Sequence, residues 1–342
     1  MKNQIHTSLY QKGINYDAGT NFNPGSLTRK IWRKDLLEQE IRIISEQLHC
    51  NSIQIYGTDI NRLMESAIVA LQNGLHVWLQ PRLVEGNQEE TLAHLSMVAQ
   101  AAEELRKQYQ NIDLNIGCEL SIFSSGIMPG SNFEQRASKL FSKWWLLPWY
   151  NKKLNDYLRK ACATAITSFN GKLSYAAALW EQVDWKEFDI VGLNLYKMSY
   201  NESKYVKNLR KFHRYNKPVT IFEFGCCTFE GADKKGPSGH EIVDTTGTVP
   251  EIRGNAVRSE KAQANYILEL LQIYKLEHIY GAFVYDFIMP NKPHSPDPRY
   301  DLDMGSYGII KVYPEDSDQP YSSGYWEPKK AFQEISEFYK NN

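Results

Sequence analysis

Short apolar runs alternate with longer segments of helical periodicity along almost the whole chain. In the longer segments apolar residues recur three and four positions apart, as at Leu37, Ile41, Ile44 and Leu48, which predicts helices. Strands that alternate with helices form a parallel sheet. The apolar runs predict eight strands, near residues 13–16, 52–56, 75–79, 112–117, 173–179, 189–195, 218–222 and 280–284.

The helix signals and loop segments set the order of the predicted units. Thr58 or Asp59 can cap a helix that Gly74 ends, and Ser259 can cap another. The predicted helices cover 34–49, 58–74, 89–109, 152–168, 259–275 and 328–339, and long polar segments, 121–150, 224–257 and 286–326, follow strands four, seven and eight. Eight such units predict an α/β fold, a single (β/α)8 (TIM) barrel with one domain over 1–342. An open doubly wound sheet is the alternative, but the GxGxxG turn typical of that fold is absent.

Composition and charge narrow the classes of partner. The chain has 342 residues, a formal net charge of −1 and a hydrophobic content of 42%. This charge gives no reason to expect nucleic acid or an anionic membrane as partner. No apolar run is long enough to span a membrane, and residues 1–13 contain no apolar leader segment, so a cytoplasmic protein is expected. The 8 Trp and 21 Tyr suit a carbohydrate cleft. Oligomeric state is not predicted.

The cysteines and histidines predict no metal site. The number of cysteines, five, is odd, and their spacing matches no zinc motif. The adjacent pair Cys226 and Cys227 allows a strained disulfide, although reduced thiols are favoured. We therefore expect neither a metal nor another cofactor.

Polar residues follow most of the predicted strands, where the active sites of such barrels lie. They are Asn15, Tyr16 and Asp17 after strand one, Gln80 and Arg82 after three, Cys118 and Glu119 after four, Trp180 and Glu181 after five, Asn194, Tyr196 and Lys197 after six, Glu223 after seven, and Tyr285 and Asp286 after eight. Glu119 and Glu223 each follow an apolar run directly, so two carboxylates should face each other across the barrel mouth. Glycoside cleavage needs such a pair, one to protonate the leaving oxygen and one to attack or to activate water. Pairing with a nearby cation such as Arg82 is the structural alternative.

At these residues the chain resembles clan A glycoside hydrolases, which are retaining enzymes on (β/α)8 barrels. Residues 220–225 (TIFEFG) resemble the nucleophile strand of that clan, and 258–264 and 326–332 resemble two of its helix entries. The resemblance implies that Glu119 is the acid/base and Glu223 the nucleophile, that Tyr196 hydrogen-bonds Glu223 or the substrate, and that a carbohydrate is bound by the other strand-end residues. Two positions depart from the clan, since Cys118 stands where it carries Asn, and Tyr285 where it carries Trp. The chain also resembles bacterial barrel proteins labelled "abortive infection protein".

Three further features leave alternatives open. Cys118 favours a non-catalytic barrel, one that binds glycans or another protein and derives from a glycosidase. Lys197 after strand six allows a Schiff-base aldolase, although a solvated lysine is favoured. The aromatic cluster at 144–150 suits a sugar platform, a partner surface or a membrane contact, but we expect it to pack onto the barrel.

Overall fold

In the computed structural model, which describes residues 9–23, 25–314 and 325–342, eight parallel strands form a nearly closed barrel. The strands are β1 Gln11–Asp17, β2 Ser52–Gly57, β3 His76–Pro81, β4 Ile112–Cys118, β5 Leu173–Ala176, β6 Val191–Asn194, β7 Val219–Phe224 and β8 Gly281–Val284. They are hydrogen-bonded in the order β5-β4-β3-β2-β1-β8-β7-β6. A single parallel bridge between Ala177 and Leu193 joins the two outer strands. The predicted (β/α)8 barrel is confirmed.

Helices cover the outside of the barrel in most of the units. They are α1 Lys34–Glu46, α2 Ile60–Gln72, α3 Gln88–Tyr109, α4 Leu120–Phe123, α5 Phe133–Ser142, α6 Leu147–Ile166, α7 Tyr205–Arg210, α8 Glu260–Leu276 and α9 Lys330–Lys340. The predicted caps form, since Asp59 accepts from the Arg62 N–H at 3.0 Å and Ser259 accepts from the Ala262 N–H at 3.2 Å. None of the helices in the described part of the chain is long and apolar enough to cross a membrane.

The fifth unit departs from the β-then-α pattern. Only a 3₁₀ turn, Trp185–Glu187, lies between β5 and β6. The predicted long loops after β4, β7 and β8 are present, but they contain structure of their own. The first holds α4 and α5, and the second pairs the short strands Val243–Asp244 and Glu251–Ile252. Of the third, 315–324 lie outside the described residues, as does the 1–8 segment used for the leader prediction.

Alternation along the strands divides side chains between the barrel interior and the outer layer. The interior holds a small apolar cluster: Trp78, Cys118, Ala176, Ile190, Phe222 and Phe283. Beside it, the Asn115 amide donates to Gln54 Oε1 at 2.8 Å, and the Asn15 amide donates to the carbonyl of Phe222 at 2.8 Å. These buried amides satisfy one another, so the interior is filled below the mouth.

The regular strand pairing breaks near the carboxyl ends of three strand pairs. Register shifts occur between Asn115 and Cys118 on β4, between Leu193 and Asn194 on β6, and between Ala282 and Val284 on β8. Such irregularities re-aim side chains and are frequent beside active sites. They fall where β4, β6 and β8 deliver their polar residues to the mouth.

Candidate active site

Glu119 lies directly after β4 in an unusual backbone conformation. Its φ and ψ are 44° and 43°, in the left-handed region. A non-glycine residue held there costs about 1–3 kcal/mol and persists only where its surroundings fix it. Its N–H donates to the carbonyl of Ala176 on β5 at 3.0 Å. This backbone conformation ends the strand and directs the Glu119 side chain over the barrel mouth.

A second carboxylate, Glu181, fixes the turn that follows Glu119. One oxygen of Glu181 accepts from the Ser121 N–H at 3.0 Å. The other accepts from the Tyr175 hydroxyl at 2.8 Å and from the Ala178 N–H at 3.0 Å. Glu181 therefore ties the end of β5 to the first residues after Glu119.

Glu223 lies on β7, between two buried phenylalanines. The Tyr196 hydroxyl donates to Glu223 Oε1 at 2.8 Å, and Arg82 Nη2 is 3.9 Å from Glu223 Oε2. Arg82 is itself oriented, because its Nε donates to Gln80 Oε1 at 3.0 Å and its guanidinium lies 4.0 Å from the centre of the Tyr56 ring. The structure thus contains the hydrogen bond between Tyr196 and Glu223 that the resemblance implied.

Asn194 lies beside both glutamates. It stands opposite Glu223 in the pairing of β6 with β7, and its amide donates to Glu119 Oε1 at 3.0 Å. The same amide lies 3.3 Å from the Cys118 sulfur, which is only 4% exposed. Within the described residues, the buried Asn194 Oδ1 and Gln80 Nε2 have no hydrogen-bond partner. Buried polar atoms of this kind are commonly satisfied by water or a ligand.

The surroundings of the two glutamates differ in charge. Burial, followed by the charge on Glu223, raises the pKa of Glu119 to about 8. Burial also raises the pKa of Glu223, and the Arg82 guanidinium and then the Tyr196 hydroxyl limit that rise. Paired carboxyl groups in unlike surroundings take acid and base roles. Glu119 suits the protonated form at neutral pH, whereas Arg82 and Tyr196 favour the charged form of Glu223.

Aromatic side chains form one wall of the mouth. The Tyr285 ring lies 6.0 Å from that of Tyr56 and 5.5 Å from that of Tyr307, measured between centroids. Asp286, which is fully buried, accepts from the Tyr56 hydroxyl at 2.6 Å. The peptide bond between Tyr285 and Asp286 is cis. Both residues expected after β8 therefore border the Arg82 side of the site.

Three of the predicted site residues form hydrogen bonds with groups other than the two glutamates. Tyr16 points outward from β1, where its hydroxyl donates to Glu40 at 2.6 Å, because alternation puts it on the face opposite Asp17. Asp17 closes its own loop by accepting from the Gly19 N–H at 2.8 Å. Trp180 lies on the rim, with its Nε1 donating to the hydroxyl of Ser121 at 2.9 Å. The structure places Tyr16 away from the mouth and the other two at its border.

The structure also locates the residues that allowed an aldolase, a metal site or a disulfide. The Lys197 ammonium binds both carboxylate oxygens of Glu269 on α8 at 2.6 Å, and so is turned away from the glutamate pair. Among the described residues there is no group of three or more His, Cys, Asp or Glu that could hold a metal ion. All five cysteines are free thiols.

Strand-end residues that were given no role in the predicted site complete it, together with two tyrosines. Gln80 shares a strand face with Arg82, two positions on, so the strand period could have indicated it. Glu181 follows Trp180 after β5 and was visible as a strand-end carboxylate. Tyr56 is the residue before the last one of β2, and Tyr307 lies in the long third loop. Tyr307 had no local signal, since that loop lacks a periodic pattern.

Comparison with known proteins adds support for the fold. No protein-family model and no curated protein matches the chain. Among solved structures, a β-glucuronidase from an uncultured Clostridium sp. matches 98% of this chain and 51% of its own at 16% identity, with a TM-score of 0.57. An apo β-glucosidase 1317 matches 97% of this chain and 98% of its own at 8% identity, also with a TM-score of 0.57. A β-D-glucuronidase from Dictyoglomus thermophilum matches 98% of this chain at 12% identity and a TM-score of 0.54.

These structural neighbours are glycoside hydrolases, and they share the barrel. The chain covers 51% of the Clostridium β-glucuronidase and 51% of the Dictyoglomus β-D-glucuronidase, which is about half the length of each. At 8–16% identity the likeness establishes the fold alone.

Proposed function

We propose that the protein is a retaining glycoside hydrolase of the clan A type, acting within one domain that comprises 1–342. The observation that carries the proposal is the unequal pair of glutamates. Glu119 has a pKa raised to about 8, and Glu223 is held by Tyr196 and Arg82. That pair supplies the acid and the nucleophile that the reaction needs.

The residues support a double displacement. Glu223 attacks the anomeric carbon while protonated Glu119 gives its proton to the leaving glycosidic oxygen. The resulting glycosyl ester neutralises Glu223, so the pKa of Glu119 is then raised mainly by burial and no longer by that charge. Glu119 can then take a proton from water, which attacks the same carbon and releases Glu223. The anomeric configuration is retained because two inversions occur.

Substrate contacts are proposed at the same mouth. Asn194 Oδ1 and Gln80 Nε2, which lack partners among the described residues, suit an acceptor and a donor for sugar hydroxyls. Tyr285 offers a ring near Arg82. The neighbours' names indicate β-glucosides and β-glucuronides as the first substrates to test.

A mechanism-based trap tests the proposal. Wild-type protein is assayed on a panel of 4-nitrophenyl glycosides, including the β-glucoside and the β-glucuronide. The 2-deoxy-2-fluoro analogue of any substrate that is cleaved should then label Glu223, as located by peptide mass spectrometry. Glu223→Gly should lose turnover and regain it as a glycosyl azide with added azide. Glu119→Gln should lose most activity on poor leaving groups and much less on 2,4-dinitrophenyl glycosides, which need no proton.

A matched control is Glu38→Gln on the exposed face of α1, where the side chain is 55% exposed. It changes the same functional group far from the mouth, so its activity should equal that of the wild type. If wild type cleaves no glycoside in the panel, or if Glu223→Gln is as active as wild type, the proposed chemistry is wrong.

The second candidate is a non-catalytic glycan-binding or protein-interaction barrel, and Cys118 is the observation that favours it. The buried thiol offers only a weak hydrogen-bond donor next to Glu119. Calorimetric binding of a glycan without turnover, unchanged in Glu223→Gln, would support this alternative. Hydrolysis that depends on Glu223 would exclude it.

A further inference from the structure

Three tryptophans in the loop after β4 are exposed. Trp144, Trp145 and Trp149 are 67%, 60% and 52% exposed, whereas Trp78 and Trp326 are almost fully buried. The expectation that this segment packs onto the barrel is therefore wrong for these three side chains. A group of large apolar side chains in water marks an interaction site.

The same segment is locally basic. Residues 139–153 contain Lys139, Lys143, Lys152 and Lys153 and no Asp or Glu, although the whole chain has a net charge of −1. Lys143 and Lys152 are exposed. The Lys153 ammonium lies 3.9 Å from the centre of the Trp149 ring. The overall charge therefore conceals a local excess of positive charge among the indoles, which we call the tryptophan–lysine surface (143–153).

This surface lies on the rim of the barrel mouth, on the side of Glu119. Trp149 is in the first turn of α6, the helix that leads from β4 to β5, and such helices begin on the mouth side. Asn151 in the next turn donates to the carbonyl of Trp180 at 3.2 Å, and Trp180 bonds to Ser121 at 2.9 Å. Ser121 is the second residue after Glu119.

We propose that the tryptophan–lysine surface docks on an anionic phospholipid bilayer. Indole rings favour the boundary between headgroups and acyl chains, and lysine ammonium groups next to them pair with lipid phosphates. The two contributions add, as they do for other proteins that lie on a membrane without crossing it. Docking at this rim would turn the open end of the barrel toward the bilayer.

Two other occupants fit the geometry less well. The Trp144 and Trp145 rings are 6.4 Å apart with an 82° angle between their planes, so one flat sugar chain cannot stack on both. A second copy of the chain in a two-fold contact would bring the same positively charged surface of both copies together, with like-charge repulsion across the interface.

Vesicle sedimentation tests the inference on the full chain. Wild-type protein at low salt is mixed with neutral phosphatidylcholine vesicles or with vesicles that also contain about 30% phosphatidylglycerol. We expect at least tenfold stronger partitioning to the anionic vesicles, a blue shift of tryptophan emission on binding, and loss of binding at high salt. Trp144→Ala/Trp145→Ala/Trp149→Ala and Lys143→Glu/Lys152→Glu should each lower partitioning at least tenfold.

The matched control is Lys204→Glu/Lys211→Glu, which makes the same charge change at exposed lysines in the segment between β6 and β7. It should reduce partitioning by less than threefold, and unchanged circular dichroism and Tm should show that every variant is folded. Partitioning that does not depend on anionic lipid, or that falls equally in the control, overturns the proposal. So does binding to a single-stranded oligonucleotide or to an insoluble polysaccharide instead, or a dimer that the tryptophan variant dissociates. None of these readouts uses hydrolysis, so the outcome is independent of the proposed activity.

Discussion

Replacing the proposed acid/base by its neutral isostere should stabilise the protein, and more so at high pH. The pKa of Glu119 rises from an ordinary 4.5 to about 8 because the carboxyl is buried beside charged Glu223. The native state therefore holds this proton more tightly than the unfolded chain does. The contribution of the carboxyl to stability is most favourable below pH 4.5 and is lost as the pH rises toward about 8. Glu119→Gln removes this dependence, and it keeps an oxygen for the Asn194 amide.

The size of the effect follows from the shift. Each pKa unit corresponds to about 1.4 kcal/mol, so the full shift is worth roughly 4 kcal/mol at pH 8 and under about 1 kcal/mol at pH 5. Coupling to Glu223 and access of solvent reduce this free energy. We therefore expect Glu119→Gln to be about 2–4 kcal/mol more stable than wild type at pH 8. With an unfolding entropy of about 2.1 cal/mol/K per residue, 342 residues give roughly 0.7 kcal/mol/K. The Tm should therefore rise by about 3–6 °C at pH 8.

The change in Tm is measured by scanning calorimetry of wild type, Glu119→Gln and Glu38→Gln at pH 5 and pH 8. The Glu38 variant, which replaces an exposed carboxylate, should show a Tm difference of under about 1 °C at both pH values. The reasoning is refuted if the gain in Glu119→Gln is the same at both pH values, or if the variant is less stable than wild type at pH 8.

Three further substitutions test the surroundings of the two glutamates and a buried ion pair of the long loop after β8. Tyr196→Phe should lower kcat/KM about tenfold and move the acidic limb of its pH profile upward, because the hydroxyl at 2.8 Å holds down the pKa of Glu223. Glu181→Gln should move the basic limb to lower pH, because the charge on Glu181 helps to raise the pKa of the acid/base; an unmoved limb would leave Glu181 a purely structural role. Lys329→Met should lower the free energy of unfolding by about 2 kcal/mol in urea titrations, because it removes the ammonium that lies 2.7 Å from buried Asp303 and leaves Arg258, at 2.8 Å, as the remaining ion-pair partner. A loss under 1 kcal/mol would contradict the last expectation.

The barrel and the location of the glutamate pair were predictable because both depend on local patterns. A buried parallel strand shows as an apolar run, and the residue where the run stops lies at the mouth whatever the rest of the chain does. Glu119 and Glu223 each directly follow such a run. The short segment between the fifth and sixth apolar runs leaves little room for a helix, and the structure has only a 3₁₀ turn there.

Which face of each strand points into the barrel, and which side chains meet there, were not predictable, because both depend on how neighbouring strands pair. Tyr16 and Asp17 are neighbours in the sequence, yet the strand period sends them to opposite sides of β1. The register shift on β4 sets where Glu119 points, and a shift of this kind leaves no mark in a single run. The contacts of Glu119 with Asn194 and of Glu223 with Tyr196 join residues about 75 and 27 positions apart.

The departure at Cys118 has a physical explanation in the packing of the barrel. The thiol belongs to the interior cluster with Trp78 and Phe222, and an amide in that apolar surrounding would need buried partners. A small sulfur fits there with the Asn194 amide, 3.3 Å away, as its hydrogen-bond donor. The amide that approaches Glu119 comes instead from Asn194 on β6, at 3.0 Å from the carboxylate. The polar contact beside the proposed acid/base is therefore present but supplied by another strand, which is why the residue next to Glu119 in the sequence is a poor guide to the site.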